Sequence, residues 1–374
     1  MSKGGYRLPF DLFGVPIRLD ATFLLLIVLL TWLIGGNVAS YVKLFGLSVD
    51  PSTLARGGTP WLLGLASALG LMVSVLIHEL AHALTARRYG VEIVEIRLWI
   101  LGGIAQFRQM PRQPRAEAVV AIAGPLASAA LGLLLWWSSG LLGRDAGALL
   151  VVVSYLAAVN LTLAIFNLLP AMPMDGGRVL RSLLALSMGH LRATRVAAAV
   201  SRLLAVAMGL FGLATLNLFL VAIAFFVWIA VQAETQAVTV EQALGDTLVR
   251  ELMSPEPATV PPGITVEAFL RRMFSDKHVF YPVIDEAGKL IGSVRLQDVA
   301  EVDRDATVAE VMSREVATIG PDAAAIEAFR RIEESQARRL VVIGPAGELL
   351  GIVSTTDLLR AVQIRLVDRS KARD

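Results

Sequence analysis

The chain has 374 residues, of which 55% are hydrophobic, 18% are charged and none is cysteine. Soluble proteins average about 45–50% apolar and about 25% charged residues, so this composition argues against an ordinary soluble enzyme. The lack of cysteine excludes a disulfide-stapled scaffold, a thiolate zinc site and a cysteine nucleophile. The net charge of +2 hides a division, because residues 1–233 carry 17 Lys and Arg against 9 Asp and Glu, whereas residues 234–374 carry 17 against 23.

Long apolar segments in the first 233 residues predict membrane-spanning helices, each of which needs about 20 apolar residues. Residues 194–231 are long enough for two short spans with a turn near residues 209–217. Together with segments 21–36, 60–86, 116–142 and 146–169, this gives six spans, and five is the alternative. No cleavable signal peptide is visible, so the first span is expected to stay as an anchor.

The arginines of the loops predict the orientation of these spans. Six arginines lie between the second and third spans and five follow the fourth, whereas the opposite loops hold three basic residues in all. Basic loops stay in the cytosol, so the N-terminus is predicted to be cytosolic. An even number of spans places the acidic C-terminal part in the cytosol as well, and five spans would place it outside. We therefore expect a multi-pass protein of the cell (inner) membrane.

The second predicted span contains the motif His78-Glu79-Leu80-Ala81-His82. Two histidines four residues apart lie on one helical face, which suits two zinc imidazoles, and the glutamate can act as general base on zinc-bound water. Ionisable residues inside an apolar span are costly and usually functional. The structural alternative is a polar cluster between helices.

A third zinc ligand must come from elsewhere in the chain. The extended zinc motif fails, because Thr85 and Arg88 occupy the positions that need glycine and histidine. Asp175 is the preferred candidate, since it lies between proline and glycine residues at the cytosolic end of the fourth span, at the depth of the histidines. A turn cap is its structural alternative. The other carboxylates considered are Glu92, Glu95 and Glu117.

Asn160 and Asn167 are seven residues apart and therefore share a face of the fourth span. An amide near zinc can donate a hydrogen bond to an oxyanion or orient a substrate. We predict a catalytic role for Asn167 and substrate binding for Asn160, with interhelical hydrogen bonding as the alternative.

With these motifs in place, the first part of the chain resembles the site-2 proteases, which are intramembrane zinc metalloproteases. The resemblance rests on His78-Glu79-x-x-His82, on Asn167-x-x-Pro170 followed by Asp175-Gly176, and on Ala123-Gly124-Pro125-Leu126. It implies that His78, His82 and Asp175 bind one zinc ion per chain and that Glu79 is the general base. It also implies that Asn167 binds or polarises the scissile carbonyl.

Residues 93–107, with Gly102 and Gly103, are similar to the membrane-associated strand with which this family holds an extended substrate by edge pairing. A simple anchor at the membrane surface is the alternative. The activity that the resemblance implies is hydrolysis of a peptide bond in a transmembrane protein substrate near the cytosolic membrane face.

The C-terminal part is an internal repeat with an offset of 59 residues, because segment 251–254 recurs at 310–313 and Asp298 recurs at Asp357. Each repeat predicts a helix, two apolar strands joined by a glycine-containing turn, and a short final helix. The repeat resembles paired CBS domains, a Bateman module, which often bind adenine nucleotides through G-x-x-[S/T]-x-x-D. Ser354 and Asp357 match this pattern, whereas Arg295 replaces the hydroxyl residue in the first repeat.

We therefore expect at most one formed site, for ATP, ADP or AMP, with Arg295 alternatively contacting a phosphate. A structural pair without ligand is the second alternative. CBS pairs commonly dimerise, which implies a homodimer, and the acidic charge argues against nucleic-acid binding.

These observations predict a polytopic α-helical membrane domain of about six spans with a short membrane-associated strand region, followed by a cytosolic α+β tandem CBS module. The predicted boundaries are 1–233 for the protease domain, 234–246 for a linker, 247–303 and 304–366 for the CBS domains, and 367–374 for a tail. The predicted function is intramembrane zinc proteolysis regulated by adenine nucleotide, with contacts to membrane lipid. The alternatives are a CBS-regulated transporter or channel and a catalytically silent relative.

Overall fold

A computed structural model describes residues 5–47, 49–54, 56–100, 102–107, 113–142, 146–245, 247–335 and 337–371. The chain divides into two units, Ser2–Thr235 and Gln236–Asp374. Each unit is described by itself below.

The described part of the first unit contains nine helices and one small sheet. The ninth helix runs past Thr235, the last residue of this unit. Its strands are β1 (Tyr6–Leu12), β2 (Val15–Leu19), β3 (Ile93–Trp99) and β4 (Gly102–Phe107). Its helices are α1 (Ala21–Gly36), α2 (Val38–Leu44), α3 (Pro51–Leu54), α4 (Thr59–Arg88), α5 (Pro114–Leu141), α6 (Gly147–Asn167), α7 (Asp175–Met188), α8 (His190–Ala214) and α9 (Leu218–Leu244).

Five of the described helices, α4, α5, α6, α8 and α9, are long and apolar enough to cross a membrane. Helices α1 and α2 pass the same test only together, and they meet at 63°, which gives a sixth candidate span. The break between α8 and α9 at residues 215–217 falls inside the predicted turn. The predicted fold class is confirmed for this unit.

The small sheet has the strand order β1-β2-β3-β4, so β4 lies at one edge. Strand β3 runs parallel to β2 and antiparallel to β4, with Ile96 opposite both Ile17 and Ala105. Ile96 is fully buried in an apolar cluster with Phe23 of α1 and Ala83 of α4. The sheet is thereby fixed against α4, the helix that carries the two motif histidines.

Helix α7 begins at Asp175, immediately after a compact turn that follows α6. A Cβ atom at Gly176 would lie 2.3 Å from the Leu168 carbonyl oxygen, and one at Gly177 would lie 2.4 Å from the Met172 nitrogen. Two glycines therefore let the chain fold back closely enough to start a helix here. A carboxylate in the first helical turn also interacts favourably with the helix dipole.

The second unit is built from two similar α+β repeats. The first contains α10 (Val249–Leu252), β5 (Ser254–Pro255), α11 (Val266–Asp276), β6 (Phe280–Ile284), β7 (Leu290–Arg295) and a 3₁₀ turn (Leu296–Asp298). The second contains α12 (Val308–Val311), β8 (Thr318–Ile319), α13 (Ala325–Ser335), β9 (Arg339–Ile343), β10 (Leu349–Ser354) and α14 (Thr355–Lys371). The predicted turn glycines, Gly288 and Gly347, adopt φ values of 75° and 86°, which L side chains rarely adopt.

The two repeats exchange their first segments. Strand β5 of the first repeat pairs with β10 of the second, and Ser313 of the second repeat bridges to Ser293 of the first. The core of the second repeat therefore includes Val249, and the core of the first includes Val308. This exchange explains why the repeats pack as a pair, as predicted.

Candidate metal centre and its surroundings

The side chains of His78, His82 and Asp175 converge between α4 and α7. His78 Nε2 lies 3.2 Å from Asp175 Oδ2, His82 Nε2 lies 3.1 Å from the same oxygen, and the two Nε2 atoms are 3.2 Å apart. All three residues are buried, with 5–8% of their surface exposed. Among the described residues, this is the one group of three or more His, Asp or Glu side chains arranged to hold a metal ion.

These residues fit a zinc ion in both chemistry and spacing. Two imidazoles and one carboxylate form a donor set that catalytic zinc sites use. Ligand atoms bound tetrahedrally at zinc distances of 2.0–2.1 Å are about 3.3 Å apart, close to the three separations observed here. A carboxylate between two imidazoles inside an apolar domain also lacks a packing explanation.

Helix α5 orients both histidine rings through their other nitrogen atoms. His82 Nδ1 lies 2.7 Å from the Val120 carbonyl oxygen, and His78 Nδ1 lies 2.9 Å from Ser128 Oγ. A carbonyl oxygen only accepts hydrogen bonds, so the His82 proton resides on Nδ1 and leaves Nε2 free to bind a metal. Bonds of this kind fix the ring orientation in metal sites.

Gly124 of α5 faces the two imidazoles. A Cβ atom at this position would lie 2.2 Å from His82 Nε2 and 2.7 Å from His78 Nε2. Gly124, Val120 and Ser128 are spaced by four residues and occupy one stripe of α5, which also includes Glu117. No residue of this stripe binds the metal, but the absence of a side chain at Gly124 leaves room for the two imidazoles.

The carboxylates considered as alternative ligands have other partners. Glu95 accepts hydrogen bonds from Arg18 and Arg97, with the Arg18 Nε atom at 2.9 Å. Burial opposes the ionisation of Glu95, but these bonds outweigh it and hold the pKa of its carboxyl group below the ordinary value. Glu117 pairs with Arg181, and Glu92 is exposed.

Arg181 connects three helices near this centre. Its Nε atom donates to Glu117 Oε1 of α5 at 3.0 Å, and its Nη1 atom donates to Glu234 Oε1 of α9 at 3.0 Å. Arg181 and Glu117 are 5% and 2% exposed, so this is a buried ion pair. Removing one member of such a pair is strongly destabilising, because it leaves an uncompensated buried charge.

Glu79 lies beside the edge strand β4. Its Oε2 atom accepts a hydrogen bond of 3.0 Å from the backbone N–H of Ala105. Gly103 packs on the same side chain, since a Cβ atom there would lie 2.5 Å from Glu79 Cγ. Gly102 adopts a φ of 119° at the start of the strand.

The two asparagines of α6 have different surroundings. Asn160 is fully buried, and its Nδ2 atom donates to Ser74 Oγ of α4 at 2.9 Å and to the Leu156 carbonyl. Its Oδ1 atom has no hydrogen-bond partner among the described residues. The Asn167 amide donates to the Leu163 carbonyl at 3.0 Å. Within the described chain, no hydrogen bond joins either asparagine to the metal-binding group, so their catalytic and substrate-binding roles stay predictions.

The two repeats of the second unit differ at the predicted nucleotide position. In the second repeat, Asp357 Oδ2 accepts bonds from the backbone N–H of Ser354 at 2.9 Å and from its hydroxyl at 2.6 Å. In the first repeat, the Arg295 guanidinium approaches Asp298 at 3.3 Å instead. Arg295 thus pairs with the carboxylate that corresponds to Asp357 of the second repeat.

Sequence reasoning missed the supporting residues Val120 and Ser128, and it considered Glu117 only as a zinc ligand. Every residue has a backbone carbonyl, so the sequence could not predict the role of Val120. Glu117 and Ser128 lie seven residues before and four residues after Gly124, on the same face of one helix, and this spacing is the signal that was available.

Comparison with known proteins covers both units. The model of peptidase family M50 matches residues 66–146 and 143–211, and the CBS domain model matches residues 249–305 and 308–364. A zinc metalloprotease of Methanocaldococcus jannaschii is 34% identical over 356 residues, which is 95% of each chain. The solved structure of the site-2 protease from that organism is 33% identical and matches 62% of this chain and 95% of its own, with a TM-score of 0.42.

A magnesium transporter of Thermus thermophilus is 35% identical over 117 residues, which is 30% of this chain and 26% of the transporter. This match is too short to indicate that the two proteins share a transport function. The M50 match, in contrast, contains the segments that hold His78, His82 and Asp175.

Proposed function

The chain belongs to peptidase family M50, the site-2 protease family, with a C-terminal pair of CBS domains, and it is a zinc-dependent protease. We propose that it cleaves a transmembrane protein substrate near the cytosolic face of the cell (inner) membrane. The observation that supports this proposal is the convergence of His78, His82 and Asp175 within about 3.2 Å of one another inside an apolar helical domain.

In this proposal His78, His82 and Asp175 hold the zinc ion. When bound, zinc supplies Lewis-acid chemistry, which polarises the scissile carbonyl and favours deprotonation of water. Glu79 accepts the proton of the attacking water and returns it to the leaving amine. Asn167 binds the scissile carbonyl, and Asn160 contributes to substrate binding.

The substrate binds in this proposal as an extended strand along β4, the edge strand that begins with Gly102 and Gly103. An extended conformation is required, because a helical backbone hides its carbonyl groups from the attacking water. The arginine-rich loops support a cytosolic N-terminus and a cytosolic CBS module. The proposed boundaries are 1–233 for the protease domain, 234–246 for the linker, 247–303 and 304–366 for the CBS domains and 367–374 for the tail.

Glutamate replacement tests the proteolytic mechanism. We expect Glu79→Gln to keep one zinc ion per chain and to lose cleavage of a single-span protein in proteoliposomes. Glu92→Gln, at an exposed glutamate just after α4, is the matched control and should retain the wild-type rate. Full activity of the Glu79 variant would refute the proposed role.

We further propose that the CBS pair binds one adenine nucleotide per chain through Ser354 and Asp357 and regulates cleavage, and that the module forms a homodimer. The pairing of Arg295 with Asp298 supports a single site. Titration calorimetry with ATP, ADP and AMP should show binding to the wild type and to Asp298→Ala, and loss of binding in Asp357→Ala. An unchanged dissociation constant in Asp357→Ala would dismiss the site.

A further inference from the structure

The contact between β4 and Glu79 has a consequence for how substrate binding and catalysis are linked. One backbone donor of the strand, the Ala105 N–H, is already bonded to Glu79 Oε2 at 3.0 Å. Val75 and Glu79 also lie 3.0 Å and 2.5 Å from the position of a Cβ atom at Gly103. The backbone of β4 therefore packs directly on the side chain that carries the carboxylate.

The Ala105 N–H belongs to the open edge of the sheet. Within the described chain, the strand neighbour of β4 is β3, where Ile96 lies opposite Ala105. In an antiparallel pair, the N–H and C=O of one residue point either both toward the partner strand or both away from it. Because the Ala105 N–H points to Glu79, the Ala105 carbonyl and both backbone groups of Gly103, two residues earlier, also face away from β3.

These groups are the ones that an added strand would need. An extended peptide pairing with the β4 edge takes its hydrogen bonds from the outward-facing N–H and C=O groups. We propose that Glu79 and the incoming substrate strand compete for the Ala105 N–H, so that strand addition releases the Glu79 carboxylate. The released carboxylate is then free to accept the proton of the attacking water.

Gly103 and Ala105 are accordingly positioning residues for Glu79. In the absence of a strand they hold its carboxylate on the sheet, and a bound strand removes that restraint. Proton transfer thus depends on substrate already lying along the edge. This inference rests on the proposed function, in which β4 binds the substrate and Glu79 is the general base.

Peptide binding without zinc tests the competition apart from catalysis. The full-length protein in detergent with a chelator is titrated against a fluorescent decapeptide of alternating valine and threonine, and anisotropy reports the dissociation constant. Glu79→Ala should bind this peptide about tenfold more tightly than the wild type, because no hydrogen bond to a carboxylate has to be broken first. Glu92→Ala is the matched control and should bind like the wild type.

Whether the dissociation constant of the peptide falls, rises or stays the same in Glu79→Ala distinguishes the competing explanations. If Glu79 contacted the bound strand favourably, its removal would weaken binding, and if it took part only in chemistry, binding would not change. Either result overturns the proposal, as does the absence of peptide binding to both proteins. Since the assay contains no zinc and measures no cleavage, it is independent of whether the proposed proteolysis is correct.

Amide hydrogen exchange gives a second, independent measurement. The Ala105 amide should exchange about tenfold faster in Glu79→Ala than in the wild type, because its acceptor is gone. Gly103→Ala, which displaces Glu79, should give the same acceleration. Gly140→Ala, which adds a methyl group where no atom lies within 4 Å, should exchange like the wild type. Equal rates at Ala105 in the wild type and Glu79→Ala would overturn the proposal.

Discussion

Gly124→Ala is expected to weaken zinc binding strongly, although residue 124 is not a ligand. The added Cβ atom would lie 2.2 Å from His82 Nε2 and 2.6 Å from His82 Cε1, about 1 Å short of an ordinary contact. The rings cannot turn away without losing the hydrogen bonds that orient them, between His82 Nδ1 and the Val120 carbonyl oxygen and between His78 Nδ1 and the Ser128 hydroxyl group. Either α5 moves away from α4 or the imidazoles leave their positions.

The expected loss of zinc affinity follows from how little the ligand distances of a metal site can vary. Ligand distances vary by about 0.2 Å in formed sites, far less than the displacement required here. Loss of an orienting partner alone weakens metal binding about 10- to 100-fold. We expect Gly124→Ala to weaken zinc binding by at least about 100-fold, or about 2.7 kcal/mol. Competition with a chromophoric chelator measures the dissociation constant, and elemental analysis after dialysis measures the zinc content.

Two glycines of the same helix serve as controls. Gly132→Ala places a Cβ atom 2.9 Å from Leu161 Cγ, so it strains the packing of α5 on α6 without approaching the histidines. Gly140→Ala meets no atom within 4 Å. Both variants should keep the wild-type zinc affinity, although Gly132→Ala should unfold at a lower temperature. Wild-type zinc affinity in Gly124→Ala would refute the reasoning.

Three further predictions concern residues around the centre. Ser128→Ala removes the hydroxyl group that contacts His78 and should weaken zinc binding about tenfold with an unchanged melting temperature, as chelator competition would show. Glu95→Gln should lower the melting temperature at pH 7. The folded-state pKa of Glu95 is depressed, so its stabilisation is complete above the unfolded pKa of about 4.3 and is lost as the pH falls through the folded value. The two melting temperatures should therefore begin to converge only when the pH falls below about 4.3. A constant difference across that range would contradict this cause. Asn160→Ala breaks the bond to Ser74 and should cost about 1 kcal/mol in thermal unfolding, keep the zinc content and raise the KM for the substrate, as the proposed substrate-binding role requires. An unchanged KM would contradict that role.

The sequence indicated the helical spans and the metal-binding set because both depend on local patterns. Apolar segments of about 20 residues predict spans wherever they pack, and the His78–His82 spacing defines one helical face. Asp175 could be preferred to Glu95 and Glu117 by its position between proline and glycine residues and by its predicted depth. The fold supplies the physical reason, since arginines partner those two glutamates, and such long-range pairs leave no local pattern.

Other features depended on tertiary contacts that no short motif encodes. Asn160 and Asn167 share a helical face, as predicted, yet only Asn160 donates a hydrogen bond to α4, because the contact depends on where Ser74 lies. The repeats were visible from their offset of 59 residues. The exchange of their first segments was not, since β5 and β10 are almost 100 residues apart.

The stripe of α5 also bears on how such a centre could be transplanted. A designer who copied only His78, His82 and Asp175 onto another bundle would reproduce the chemistry of the ligands without their preorganisation. The recipient would also need a helix with a glycine facing the imidazoles, a hydroxyl and a carbonyl at their distal nitrogens, and an acid to anchor the third helix. The smallest transferable unit is therefore a set of three helices, one of which donates nothing to the metal.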